Sequence, residues 1–132
     1  MSIGVLIVDD HRMMRETLRS LIESAPGIKV VEEAENGRMA VQFAREKKPA
    51  VVVMDLVMPV MGGIEATRLI TTEMPDVKVL GVSMHSDSLS REALRQAGAS
   101  AFVAKDSVFE ELVPAIKAVI ANESEWSSQI DG

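Results

Sequence analysis

Five short apolar runs recur about every 25 residues along the chain: "IGVLIV" from Ile3, "IKVVEEA" from Ile28, "AVVVM" from Ala50, "VKVLGVS" from Val77 and "AFVAK" from Ala101. That period constrains the fold more than any other feature. Most of the runs are rich in Val and Ile and continuous rather than alternating, the pattern of strands buried on both faces of a parallel sheet. "KVVEEA" is mixed and is expected at a sheet edge. Parallel neighbours need crossover connections, and the stretches between the runs are helical in pattern. Met14, Leu18, Leu21 and Ala25 share one face of a first helix, which "APG" stops. Ala40, Val41 and Ala44 mark a second, ended by Pro49, and Ile64, Thr67 and Ile70 a third, ended by Pro75. Leu89, Ala93, Leu94 and Ala97 mark a fourth, with Gly98 placed as its C-terminal cap. Ser107 and Glu110 stand at capping-box spacing before a fifth that carries Leu112, Ile116 and Val119, and Pro114 should kink it.

This alternation predicts an α/β fold, a (βα)5 doubly wound five-stranded parallel sheet with right-handed crossovers. Ligands of such sheets bind outside the carboxyl ends of the strands. Polar residues stand at those ends: Asp9 and Asp10 after the first run, Asp55 at the third, Ser83 at the fourth and Lys105 at the fifth. Three carboxylates within ~5 Å repel by a few kcal/mol per pair at an effective dielectric of about 20, so positive charge must answer them. An all-oxygen pocket suits a hard divalent cation such as Mg²⁺. A cation, the lysine, the hydroxyl and one spare carboxylate make a site for receiving a phosphoryl group. Asp55 would attack phosphorus as a carboxylate nucleophile, while Mg²⁺ and Lys105 neutralise the equatorial oxygens. A lone strand-end Asp is more often a cap than a nucleophile, and Asp10 taken alone reads as the N-cap of the first helix. The succession of these residues at consecutive strand ends, in this order, favours chemistry.

Composition narrows the alternatives. A chain of 132 residues is expected to form one domain, and the absence of cysteine excludes disulfides, thiolate metal sites and a Cys nucleophile. A net charge of -6 argues against direct nucleic-acid binding by this chain. No apolar run approaches the ~18 residues of a membrane span, and "MSIGVLIV" lacks a basic leader, so no membrane association and a cytoplasmic location are expected. Neither a Gly-rich dinucleotide turn nor a P-loop is present. A Mg²⁺-dependent phosphatase with an aspartyl nucleophile would need a second Asp two residues on, where Val57 stands.

"VDDH", "VVMDLVMPVMGGIEA", "SMH" and "GASAFVAKD" together resemble the response-regulator receiver domain of two-component signalling, over residues 3 to about 121. "DDH", "MHSD" and "KDS" further resemble the NarL/FixJ subgroup, whose receivers precede a LuxR-type helix-turn-helix. The resemblance implies a flavodoxin-like, CheY-like sheet of strand order 2-1-3-4-5. It implies that Asp55 is the phosphoacceptor, and that Asp9, Asp10, Asp55 and the backbone carbonyl of Val57 hold Mg²⁺. Ser83 would be the switch hydroxyl, Lys105 the ion-pair partner of the phosphoryl group, and Phe102 the switch aromatic. A plain core role for Phe102 is an equal alternative. The implied partners are a sensor histidine kinase as donor and a second copy of the chain on phosphorylation. The implied function is a signalling switch rather than an enzyme, acting on transcription through a DNA-binding domain outside these residues. Residues 1–121 are then the receiver and 122–132 a linker or C-terminal tail, with no room for a helix-turn-helix. Asp106 stands where many receivers have a cis-proline, which leaves the isomer of the Lys105–Asp106 bond open, and Met84 follows Ser83 where Ala or Gly is common. His11 and His85 invite a metal or phosphohistidine reading, against a helix start for His11 and a loop for His85. By the resemblance, His85 also matches a position that controls water access to the acyl phosphate.

Overall fold

A computed structural model describes residues 2–84 and 88–122. Five strands alternate with five helices: β1 (Ile3–Val8), α1 (Arg12–Glu23), β2 (Ile28–Ala34), α2 (Gly37–Lys47), β3 (Val51–Asp55), α3 (Gly63–Glu73), β4 (Lys78–Ser83), α4 (Ser88–Gln96), β5 (Ala101–Ala104) and α5 (Val108–Ile120). A 3₁₀ turn, Lys105–Ser107, leads into α5. All strand pairs are parallel and the sheet order is β2-β1-β3-β4-β5. The mixed "KVVEEA" run lies in β2, at an edge.

The continuous apolar runs are explained by two separate cores, because alternate side chains of a strand leave opposite faces. On one face Val5, Ile7, Val51, Val53, Leu80 and Val82 pack against Leu18 and Ile22 of α1 and Leu112, Ile116 and Val119 of α5. On the other, Leu6, Val8, Val52, Met54, Val79 and Phe102 pack against Ala40, Val41 and Ala44 of α2, Ala66 and Ile70 of α3 and Leu94 of α4. Each fully buried large side chain contributes about 1.5–3 kcal/mol, so both layers hold the strand ends firmly. Asn36 starts α2 by accepting the Met39 N–H at 2.9 Å, a cap the apolar periodicity does not reveal.

Two expectations are corrected, and one point left open is decided. Leu89 does not join the buried face of α4, being 83% exposed. At about 100° per residue it lies some 140° around the axis from buried Leu94. Ser107 and Glu110 form no capping box: the Ser107 hydroxyl makes no cap hydrogen bond, and its φ of -114° and ψ of 8° are not the extended backbone an N-cap requires. The 3₁₀ turn has already begun the helical path. Finally, none of the described peptide bonds is cis, so Lys105–Asp106 is trans. Helix α5 runs on through Pro114, which lies on its exposed side.

Val60, between β3 and α3, has φ 70° and is 73% exposed. A β-branched side chain is strained in that left-handed region, whereas Asn tolerates it. Val60→Asn is therefore expected to stabilise the fold by about 1 kcal/mol. The measurement is the urea midpoint at unchanged slope; a midpoint at or below that of the wild type would contradict the strain.

Candidate functional site

The sheet register builds the site. Val8 lies beside Met54, so Asp9 and Asp55, the next residue on each chain segment, emerge as neighbours. Asp55 pairs with Val82, and Ser83 with Ala104, so Ser83 and Lys105 follow at the same end of the sheet. Asp9, Asp55 and Ser83 are buried, each 5% exposed or less. Lys105 reaches back over the strand ends, with Nζ 2.9 Å from Asp9 Oδ2 and 3.3 Å from Asp55 Oδ1. Asp10 is partly exposed, yet its Oδ1 is buried and lies 3.2 Å from the His11 Nδ1. Single ligand atoms of Asp9, Asp10, His11 and Asp55 lie within 4.8 Å of one another. The five residues singled out at the strand ends therefore do converge.

Capping does not account for Asp10. The N-cap position of α1 is His11, in extended conformation and without a side-chain cap bond. Asp9 is the acid that meets the start of the helix, its Oδ1 accepting the His11 N–H at 2.8 Å. His11 starts the helix as expected, and its Nδ1 lies 3.3 Å from Asp9 Oδ1 and 3.2 Å from Asp10 Oδ1.

Three carboxylates against one ammonium leave the crevice at a formal charge of -2 when His11 is neutral. Each Lys105 contact is worth about 5 kcal/mol at an effective dielectric of 20, and each carboxylate pair repels by at least about 3 kcal/mol at this spacing. The two lysine contacts are thus comparable to the carboxylate repulsion, while the formal charge of the crevice stays negative. Burial pushes the Asp55 carboxyl above its ordinary range and the Asp9 charge adds to that, while Lys105 pulls it back only in part. Burial pulls the Lys105 ammonium down, but the contact with Asp9 and the charges of both acids outweigh it, and the net direction is up. The net negative charge and the clustered carboxylate oxygens fit a divalent cation held by oxygens.

Phe102 is fully buried in the core beneath α4, with the Arg91 guanidinium 5.2 Å from its ring centroid. Val57 is exposed, two residues beyond Asp55, in a loop closed where the Gly63 N–H donates to the Leu56 carbonyl at 2.8 Å. Met84 is exposed. His85 lies outside the described residues. One contributor escaped the sequence reading. Arg15 of α1 donates from Nη1 to the Asp9 carbonyl at 2.8 Å and from Nε to Glu33 of β2 at 3.1 Å. Arg19 donates to the same Glu33 at 2.7 Å. The only signal is an acid in an edge strand opposite two arginines one helical turn apart, which becomes legible once β1 and β2 are known to pair.

Residues 5–117 match the response regulator receiver domain family. The chain is 39% identical over 128 residues to response regulator UvrY of Escherichia coli strain K12, covering 97% of this chain and 59% of UvrY. It is 40% identical over 128 residues to response regulator GacA of Pseudomonas aeruginosa, covering 97% of this chain and 60% of GacA. The chain thus spans about three fifths of the length of these relatives. Its fold is similar to a crystal structure of a LuxR-family two-component response regulator from Aurantimonas sp. SI85-9A1, with a TM-score of 0.93 at 41% identity, covering 99% of this chain and 94% of that one. Among the described residues no helix is long and apolar enough to cross a membrane.

Proposed function

The chain belongs to the response regulator receiver domain family, and we propose that Asp55 is its phosphoacceptor, loaded by a sensor histidine kinase in the presence of Mg²⁺. The observation that carries this reading is the placement of Asp55 at the end of a buried strand, with Lys105 Nζ at 3.3 Å inside a crevice of net negative charge. A carboxylate beside an ammonium is a nucleophile whose product charge is already answered. An Asp55 oxygen attacks the phosphorus of the donor phosphohistidine. The P–N bond breaks, its electron pair leaves with the imidazole, and an acyl phosphate forms on Asp55. Lys105, freed from part of its contact with Asp55, faces the new phosphoryl oxygens. Bound Mg²⁺ supplies further positive charge there, and Asp9, Asp10, Asp55 and the Val57 carbonyl would hold it. The phosphoryl group ends on the chain's own side chain, so the protein acts as a signalling phosphoacceptor rather than a turnover enzyme.

In this reading residues 1–121 are the receiver and 122–132 lead away from it, toward an output domain that acts on transcription. The work is cytoplasmic, and the acidic net charge leaves any DNA contact to other residues. Brief incubation with acetyl phosphate and Mg²⁺, followed by intact-mass measurement, tests the reading. One stable phosphate adduct per chain is expected. Steady release of inorganic phosphate over many turnovers would instead favour the phosphatase.

The same reading assigns Ser83 as the switch hydroxyl and Phe102 as the aromatic that responds to it. Ser83 is buried at the end of the strand beside Asp55, and Phe102 lies on the next strand, paired with Gly81. A hydroxyl drawn to the phosphoryl oxygen moves its loop and changes the space left to the ring. Ser83→Ala should still accept phosphate at Asp55 but dimerise much less in response. Sedimentation of both proteins, with and without beryllofluoride, measures this, and equal shifts would remove Ser83 from the switch.

A further inference from the structure

We propose that His11 supplies an imidazole nitrogen to the carboxylate set, so that the crevice takes borderline divalent ions of the Mn²⁺, Co²⁺, Ni²⁺ and Zn²⁺ class more tightly than Mg²⁺. The proposal rests on the reading of this crevice as a cation site.

Nδ1 of His11 stands between two carboxylates. It lies 3.3 Å from Asp9 Oδ1 and 3.2 Å from Asp10 Oδ1. With metal–ligand distances of about 2.1 Å, ligands at right angles around an ion stand about 3.0 Å apart. Both distances from Nδ1 are thus already near the spacing of neighbouring ligands around one ion. A plain hydrogen bond explains the arrangement less well. One ring nitrogen carries at most one proton, yet it is nearly equidistant from two carboxylate oxygens and can donate to only one of them. The remaining contacts divide the acids in the same sense. Lys105 sits on Asp9 Oδ2 and Asp55 Oδ1, which leaves Asp9 Oδ1 and Asp10 Oδ1 to the His11 side.

The residue is also held at its base. Its N–H donates to Asp9 Oδ1 at 2.8 Å and its carbonyl accepts the first backbone bond of α1 from Arg15 at 3.1 Å. The ring itself is 72% exposed, so it can turn toward an ion without repacking the core. Mg²⁺ seeks oxygen and keeps its waters, whereas imidazole suits Ni²⁺, Co²⁺ and Zn²⁺. A nitrogen donor beside two carboxylates therefore shifts preference toward the latter.

The test is calorimetric titration of the full chain with Mg²⁺, Co²⁺ and Ni²⁺ separately, for wild type, His11→Ala, His11→Gln and His85→Ala. His85 is the only other histidine in the chain. Both His11 substitutions should weaken Co²⁺ and Ni²⁺ binding tenfold or more and Mg²⁺ binding no more than about threefold. The absorption spectrum of the Co²⁺-loaded protein should change with them and not with His85→Ala. Equal losses for all three ions, no loss for Ni²⁺, or the same loss in His85→Ala would overturn the proposal. Phosphate uptake by the wild type from acetyl phosphate is a separate arm: its failure would sink the phosphoacceptor reading while the Ni²⁺ titrations still decide the role of His11.

Discussion

Asp55→Asn is expected to take up no phosphate from acetyl phosphate under conditions in which the wild type gains one phosphate per chain. Asn keeps the shape of the side chain and removes the anionic oxygen proposed to attack phosphorus. Loss of a nucleophile lowers such a step by at least about 10³-fold. Neighbouring acids do not substitute for it. Asp9 has one oxygen bonded by the His11 N–H and the other against Lys105, and it is almost fully buried. Asp10 has no contact with Lys105 among the described ion pairs, so its product charge would go unanswered. Intact-mass measurement over a time course decides the matter, and uptake at the wild-type rate would move the phosphoacceptor elsewhere.

The same substitution should stabilise the fold at neutral pH in the absence of divalent cations. Burial and Asp9 raise the Asp55 carboxyl above its ordinary value of 3.8. A carboxyl raised in the folded state contributes its stability below the unfolded value, and that contribution is lost as pH rises through the folded one. Ionised Asp55 is thus a burden that Asn does not carry. Melting temperatures of the two proteins should converge on acidification toward pH 4 and separate as pH rises above it. A constant gap across that range would mean that the effect is packing, not charge.

How far the sequence alone reaches depends on which chemistry left a periodic or positional trace. The sheet was legible because burial on both faces forces unbroken runs such as "VVVM", and the edge was legible because "KVVEEA" mixes charge into its run. Asp9, Asp55, Ser83 and Lys105 were legible as a group because parallel strands deliver their ends to one rim. Leu89 was misread because a face drawn by spacing has no information on where the helix sits over the sheet, and α4 leaves its first turn outside. Ser107 and Glu110 matched a cap pattern that the preceding 3₁₀ turn makes geometrically idle. Arg15 was invisible because its partners, the Asp9 carbonyl and Glu33, come from two other elements. Contacts that depend on register between distant segments leave no local signature.

Gly63→Ala should damage fold and site together, because the main chain of Asp55, the proposed nucleophile, occupies the space a methyl group would need. A Cβ on Gly63 would overlap the carbonyl oxygen of Asp55 and approach the Asp55 carbonyl carbon and Leu56 Cα at 2.9 Å. All three are backbone atoms at the end of β3, and none can rotate away as a side chain can. The contrast with neighbouring glycines is informative. At Gly81 the added Cβ meets the tip of Leu94, which has rotamers to use, and at Gly62 its nearest neighbour is the Leu56 carbonyl at 3.3 Å. Gly63 is also the first residue of α3 and donates its N–H to the Leu56 carbonyl at 2.8 Å, so displacing it opens the turn that follows Asp55. Relief can come only by moving α3 off the strand end or by moving Asp55 itself. The expected loss is about 3 kcal/mol or more, at the upper end of overpacking. The rate of phosphate uptake should fall at least about tenfold, since misplacing a reacting group by about 1 Å can lower a rate a hundredfold. Gly62→Ala serves as the control and should cost less than about 1 kcal/mol. Urea unfolding and phosphorylation kinetics of the two variants read both effects. If Gly63→Ala unfolds and phosphorylates like the wild type, the packing of α3 against the Asp55 main chain is not what fixes the nucleophile.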